Sequence, residues 1–79
     1  MNKTRRQTLL QILNDLTVLQ DLLECVKVTE EEAYENLPES IQDSEKGEVM
    51  QDAISELDDA LSSIESAIES IDNAGGGLL

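Results

Sequence analysis

The chain has 79 residues and a formal net charge of −13, from 18 acidic and 5 basic side chains. A domain of this size gains roughly a few kcal/mol from one core, so small domains often add disulfides, metals or oligomerisation. One cysteine cannot form an internal disulfide, and without histidine the commonest metal ligand is missing. Self-association is therefore the expected way to bury more apolar surface.

The acidity and the hydropathy pattern limit the expected partners and location. An acidic chain repels nucleic acid and anionic membranes and attracts proteins with basic surfaces. No stretch is long and apolar enough to span a membrane. The basic start leads into an amphipathic segment with Asp15 and Asp21, unlike a signal peptide. We predict a cytoplasmic protein that binds neither nucleic acid, nor membranes, nor a small-molecule substrate.

Residues 4–36 have the apolar periodicity of a long helix. Leucines share one heptad position: Leu9, Leu16, Leu23 and Leu37. A second position would pair with it in a seam: Ile12, Leu19, Val26 and Ala33. Further apolar residues widen this stripe: Leu10, Leu13, Val18 and Leu22. A stripe of this width is broader than the seam of a two-stranded coiled coil.

Residues 37–43 interrupt the helical pattern. Pro38 disfavours helical geometry at Leu37 and cannot donate a backbone hydrogen bond in a continuing helix. A hydroxyl of Ser40 or Ser44 can cap the helix that follows. Gly47 is a poor helix former and is expected to weaken the first turn of that helix.

Residues 50–74 have a strict seven-residue apolar repeat, which is typical of helices that pack along a left-handed seam. The seam alternates by four and three residues: Met50, Ile54, Leu57, Leu61, Ile64, Ile68 and Ile71. An alanine column flanks it: Ala53, Ala60, Ala67 and Ala74. Such a column is expected where antiparallel helices pack closely, or where one helix touches two neighbours.

These patterns predict one all-α domain over residues 1–79, an antiparallel two-helix hairpin that resembles a coiled coil. Helix 1 covers about 4–36, a turn covers 37–43, helix 2 covers about 44–74, and a flexible tail covers 75–79. Two helices cannot cover stripes this wide, so we expect two hairpins to form a four-helix bundle. The expected interface of this dimer comprises Leu9, Leu16, Leu19, Leu23, Ile54, Leu57, Ala60, Leu61, Ile64, Ala67 and Ile68.

The sequence offers no pattern that is typical of an enzyme. Without histidine, only lysines remain as candidate bases to activate a serine or threonine, and the neighbouring Glu24 is expected to make Cys25 a poor nucleophile. Di-iron bundles need Glu-x-x-His pairs, and neither the calcium-loop spacing nor a phosphate-binding loop is present. We predict no catalytic residue, no cofactor and no metal.

The outer face of helix 2 is acidic, and no base follows Lys46. Carboxylates along a rod about 45 Å long can coarsely imitate the phosphate rows of DNA. The predicted partner-binding residues are Asp52, Glu56, Asp59, Glu65, Glu69, Glu31 and Glu35. The alternative is a structural coiled-coil or scaffold protein whose acidic surface serves only solubility.

Part of the chain resembles a known group of proteins. The distinctive segment is residues 30–48 with its turn Asn36-Leu37-Pro38-Glu39-Ser40, and the opening Met1-Asn2-Lys3-Thr4-Arg5-Arg6 and the repeats after residue 52 are similar too. They resemble small acidic helical-hairpin proteins of phages and prophages of Gram-positive bacteria, a group with no assigned activity. The resemblance implies a mobile-element origin in a bacterial host. By analogy, it implies an inhibitor of a nucleic-acid-handling or host-defence protein that acts by DNA mimicry.

Overall fold

The structure, a computed structural model, describes residues 1–79 and is helical with no strands. Its elements are α1 (Lys3–Glu35), α2 (Glu39–Gln42) and α3 (Glu45–Ala74). The two long helices pack together into a rod of 58 × 15 × 13 Å. Its radius of gyration is 17.4 Å, whereas a compact domain of this length has about 11.6 Å. The predicted all-α class is confirmed, and the elongated shape limits what one copy can bury.

Local chemistry accounts for the ends of α1. The side chain of Asn2 accepts a hydrogen bond of 2.8 Å from the backbone N–H of Arg5, which satisfies a free donor of the first turn. The helix ends before Pro38, as the proline predicts. The predicted boundaries of the two long helices lie within one residue of the observed ones. Within the predicted turn, the chain forms the short α2.

Gln42 connects the turn to the end of α1. Its Nε2 donates to the backbone oxygens of Tyr34 at 3.1 Å and Leu37 at 3.2 Å. Carbonyls at a helix C-terminus lack partners within the helix. The Gln42 amide gives the Tyr34 carbonyl a second donor beside the Leu37 N–H, and it gives the Leu37 carbonyl its donor. This contact is not visible in any local sequence pattern.

We expect Gln42→Ala to lower the free energy of unfolding by about 1 kcal/mol, because the half-buried Leu37 carbonyl loses its donor and the Tyr34 carbonyl keeps only the Leu37 N–H. Urea unfolding followed by circular dichroism measures this at fixed protein concentration. Gln11→Ala is the matched control, since Gln11 donates to Asp15 on the exposed surface, and we expect a change below about 0.5 kcal/mol. Equal effects of the two changes would contradict a bracing role for Gln42.

The seam between the long helices follows the prediction on α3 and departs from it on α1. All seven predicted seam residues of α3 are half-buried or buried. The α1 leucines also lie on the seam, but its second position is occupied by Leu13, Gln20, Lys27 and Tyr34. The predicted second position is exposed instead: Ile12, Leu19, Val26 and Ala33. The prediction for this position was wrong because apolar residues lie on both sides of the leucine column, and one neighbouring helix covers only one side.

The core of the single chain is very small. Leu13 is fully buried and Leu61 is 8% exposed, and no other apolar side chain is buried. Eleven large hydrophobic residues remain exposed, with seven of them on α1 between Leu10 and Val28. Folding of one copy therefore leaves much of the apolar surface of α1 in contact with water.

The residues predicted as a flexible tail fold back onto α3. Gly76 and Gly77 adopt φ angles of +82° and +86°, a region that favours glycine. Beyond them, one Asp72 carboxylate oxygen accepts from the backbone N–H groups of Leu78 at 2.6 Å and Leu79 at 2.7 Å. This places the half-buried Leu78 side chain against the end of α3.

Candidate interaction surfaces

Two hydrogen bonds between side chains show how the long helices are aligned. Lys27 Nζ donates to Asp58 Oδ1 at 2.8 Å, and Gln51 Nε2 donates to the Tyr34 hydroxyl at 2.7 Å. Seven residues forward along α1 therefore correspond to seven residues back along α3. The helices are antiparallel in one register, and these pairs mark one side of the seam, here called the polar side.

The other side of the seam is apolar. Both helices use the same four-then-three seam spacing, and antiparallel packing brings equivalent heptad positions to the same side. Ile12 follows Leu9 by three residues, just as Ala53 follows Met50. The exposed columns of the two helices thus share one surface, here called the apolar face: Ile12, Leu19, Val26, Ala33, Ala53, Ala60, Ala67 and Ala74.

Few charges border the apolar face. Around α1 it continues into Val18 and Leu22, which are 58% and 59% exposed. On the α3 side the bordering residues Ser63 and Ser70 are uncharged. The charged residues at its border are Asp15 and Glu56, one on each helix, and the two columns of the face begin with Arg5 and Lys46. The other carboxylates of α3 lie toward the polar side or directly away from α1.

The predicted acidic residues of α3 are exposed, but they do not form one row. Asp52 and Asp59 occupy the heptad position farthest from α1. Glu65 and Glu69 turn toward the polar side, and Glu56 turns toward the apolar face. Because the seam direction sets these angles, the carboxylates wrap around the outside of α3 as a broad acidic surface.

The remaining predicted acidic residues, Glu31 and Glu35, lie on α1. The Glu31 carboxylate lies 3.7 Å from Lys27 Nζ, so Lys27 is shared between Glu31 and Asp58. The hydrogen bond that Lys27 donates to the Asp58 carboxylate raises the pKa of Lys27 above its ordinary value. Both ion pairs of the structure belong to Lys27, and the five predicted acidic residues of α3 have no basic partner.

An open groove of about 300 Å³ lies on the polar side. Its lining combines the predicted Glu31 and Glu35 with Tyr34, Gln51 and Ile54. Tyr34 and Gln51 were not predicted as surface-binding residues. The one sequence signal for Tyr34 is that it is the single aromatic residue, placed on the leucine side of an acidic run.

No group of three or more His, Cys, Asp or Glu side chains is placed to hold a metal ion. Cys25 is free and exposed. Neither long helix has the apolar length needed to cross a bilayer.

Comparisons of the chain with models of protein families, with curated proteins and with solved structures gave no match. The acidic surface, the polar side and the apolar face are the candidate interaction surfaces of the chain.

Proposed function

We propose that this chain is a non-enzymatic interaction protein of phage origin that binds a basic protein partner through the acidic surface of α3. In its sharpest form, the proposal is that it inhibits a nucleic-acid-handling or host-defence protein by imitating DNA. The observation that supports it is the unpaired charge of α3, where nine acidic residues are accompanied by Lys46 alone. Only Asp58 among these acids has an ion pair within the hairpin.

The charge spacing is compatible with coarse DNA mimicry. At 1.5 Å per residue, the 30 residues of α3 span about 45 Å, so nine carboxylates give about one charge per 5 Å. Duplex DNA carries one phosphate charge per about 1.7 Å of axis. Two copies would give about one charge per 2.5 Å along the same length, counted around the whole rod. Such a surface attracts a basic channel over long range and offers carboxylates to arginine.

We also propose that two hairpins assemble into a four-helix bundle in the bacterial cytoplasm. The support is the small core, since Leu13 and Leu61 are the only buried apolar side chains of one copy. A second hairpin would cover the exposed stripe of α1. Sedimentation at micromolar concentration tests this, with two chains of 8.7 kDa as the expected particle.

The second candidate is a structural coiled-coil or scaffold protein whose acids serve only solubility. The observation that favours it is the exposed apolar face, which suits assembly whatever the acids do. Under this proposal, charge changes on the outer surface of α3 leave function intact, and Leu19→Asp abolishes it. Under the first proposal, charge changes alone abolish partner binding.

Partner capture at increasing salt tests the first proposal. Tagged protein captures partners from a bacterial lysate, and the affinity of the identified partner is then measured between about 50 and 500 mM salt. We expect affinity to fall at least about tenfold over this range, because paired charges are screened.

A triple variant supplies the residue-level test. Changing Asp52→Asn, Asp59→Asn and Glu69→Gln removes three charges that make no contact within the hairpin. We expect it to fold normally and to lose most of its partner affinity. Its matched control carries Ser55→Ala and Ser62→Ala on the same surface and keeps full affinity. Salt-independent binding that survives the triple variant would exclude the electrostatic proposal.

A further inference from the structure

We infer that the apolar face is where two copies of this chain meet, with α1 of each copy packed over α3 of the other. This inference rests on the proposed four-helix bundle and specifies its interface. We assign a second copy of the chain to this face because the face is complementary to itself in shape, in charge and in area.

The apolar face consists of a ridge of large side chains on α1 beside a trough that is lined by the alanine column of α3. Leu19 and Val26 are each 54% exposed and form the ridge along α1. The register set by Lys27 and Asp58 places Val26 near the level of Ala60, and Leu19 lies likewise near Ala67. Large side chains on one helix thus lie beside small ones on the other, so the face is complementary to a copy of itself.

The ridge and trough also select the orientation of the second copy. A two-fold axis parallel to the rod places the ridge of each copy in the alanine trough of its partner. A two-fold axis across the rod places ridge against ridge and alanine against alanine. That second arrangement leaves gaps along α3, and protein interiors close such gaps by interdigitation. Both arrangements keep neighbouring helices antiparallel, so the fit of ridge into trough decides between them.

The charge distribution points to the same face. Each copy carries −13, so two copies repel wherever their carboxylates approach. The apolar face is the side of the hairpin that α3 borders with Ser63 and Ser70. This face offers few carboxylates to a basic partner. For the same reason, an identical acidic chain meets less electrostatic repulsion at this face than elsewhere on the hairpin.

The area is adequate for a specific dimer. A face 58 Å long and 15 Å wide covers about 870 Å² per copy. Specific complexes bury about 800 Å² per partner. The apolar column from Ile12 to Ala33 spans about 31 Å of this length. The ends of the rod are more polar, so the face has an apolar centre and a polar rim, as interfaces do.

Disulfide trapping between two singly substituted proteins tests the arrangement. Both proteins carry Cys25→Ser, one also carries Val26→Cys, and the other carries Ala60→Cys. The two proteins are mixed in equal amounts and oxidised with diamide. As two thiols form one disulfide, diamide is reduced to its hydrazine. The products are resolved by mass under non-reducing conditions.

We expect the mixed pair to cross-link at least about tenfold more than either protein alone, because Val26 of one copy lies beside Ala60 of the other. A matched pair with Asn14→Cys and Ser62→Cys, both on the outer surface, should give only background cross-linking. Preferential linking of two Leu19→Cys chains, which also carry Cys25→Ser, would overturn the arrangement in favour of ridge against ridge, because a two-fold axis across the middle of the rod brings Leu19 next to its own copy. Background linking in all of these mixtures would overturn the interface itself.

Sedimentation separates this inference from the proposed function. We expect the unmodified chain to sediment as two copies, and Leu19→Asp to sediment as one copy with its helical signal retained. Leu10→Asp on the polar side is the control and should remain dimeric. An unmodified monomer, or a dimeric Leu19→Asp protein, would overturn the inference. If the mixed cross-link forms but the protein shows no salt-sensitive binding to a partner, the proposed function is wrong and this interface is supported.

Discussion

Leu61→Asp is expected to abolish the folded hairpin. Leu61 is one of two buried apolar side chains, and it lies in the middle of the α3 seam. The change removes about 1.5–3 kcal/mol of burial and places an unpaired carboxylate against the apolar surface of α1. A single core in a domain of this length supplies only about 3–5 kcal/mol of net stability. The loss therefore exceeds what the remaining contacts supply.

Circular dichroism at 222 nm during urea unfolding measures this outcome. We expect the unmodified protein to show a cooperative transition and Leu61→Asp to show a coil-like signal without one. Val49→Asp is the matched control, because it introduces the same charge on α3 at a position that is 61% exposed. A helical, cooperatively unfolding Leu61→Asp protein would mean that the seam does not hold the hairpin together.

The α3 seam could be predicted from sequence because its repeat permits one register. The α3 seam is flanked by a column of polar residues on one side and by the alanine column on the other. The helix therefore has only one stripe of large apolar side chains. On α1, by contrast, Ile12 and Leu13 both follow Leu9 at seam spacing. A three-then-four spacing and a four-then-three spacing begin from the same leucines, and local periodicity cannot choose between them. The partner helix makes that choice, and it left Ile12, Leu19 and Val26 exposed.

The candidate surfaces could be predicted only in part, for the same reason. Exposure of Asp52, Asp59 and Glu69 follows from residue type and from distance to the seam. The pairing of Lys27 with Asp58, or of Tyr34 with Gln51, depends on the register between helices. The turn sets that register through the Gln42 contacts and the close approach of α2 to α3. None of these contacts leaves a periodic signal in the sequence.

Gly47→Ala is expected to lower the free energy of unfolding, although helix propensity alone predicts that it would raise it. In an exposed helix, alanine is more favourable than glycine by about 1 kcal/mol. Here Gly47 is buried at the start of α3, and a Cβ would overlap the backbone carbonyl of Gln42 and lie 2.8 Å from its Cα. Backbone atoms cannot rotate away as a side chain can. We therefore expect a net loss of about 2–3 kcal/mol, from overpacking and from displacement of the Gln42 amide.

Gly75→Ala provides a control with the same substitution at another buried glycine. A Cβ at Gly75 would meet the side chain of Leu78, which is flexible and lies on the terminal turn. Because that side chain can rotate into solvent, we expect a loss below about 1 kcal/mol. Urea unfolding of both variants at one concentration compares them directly. If Gly47→Ala proved as stable as the unmodified chain, α2 could not lie so close to α3. The turn would then not set the register that brings Lys27 to Asp58.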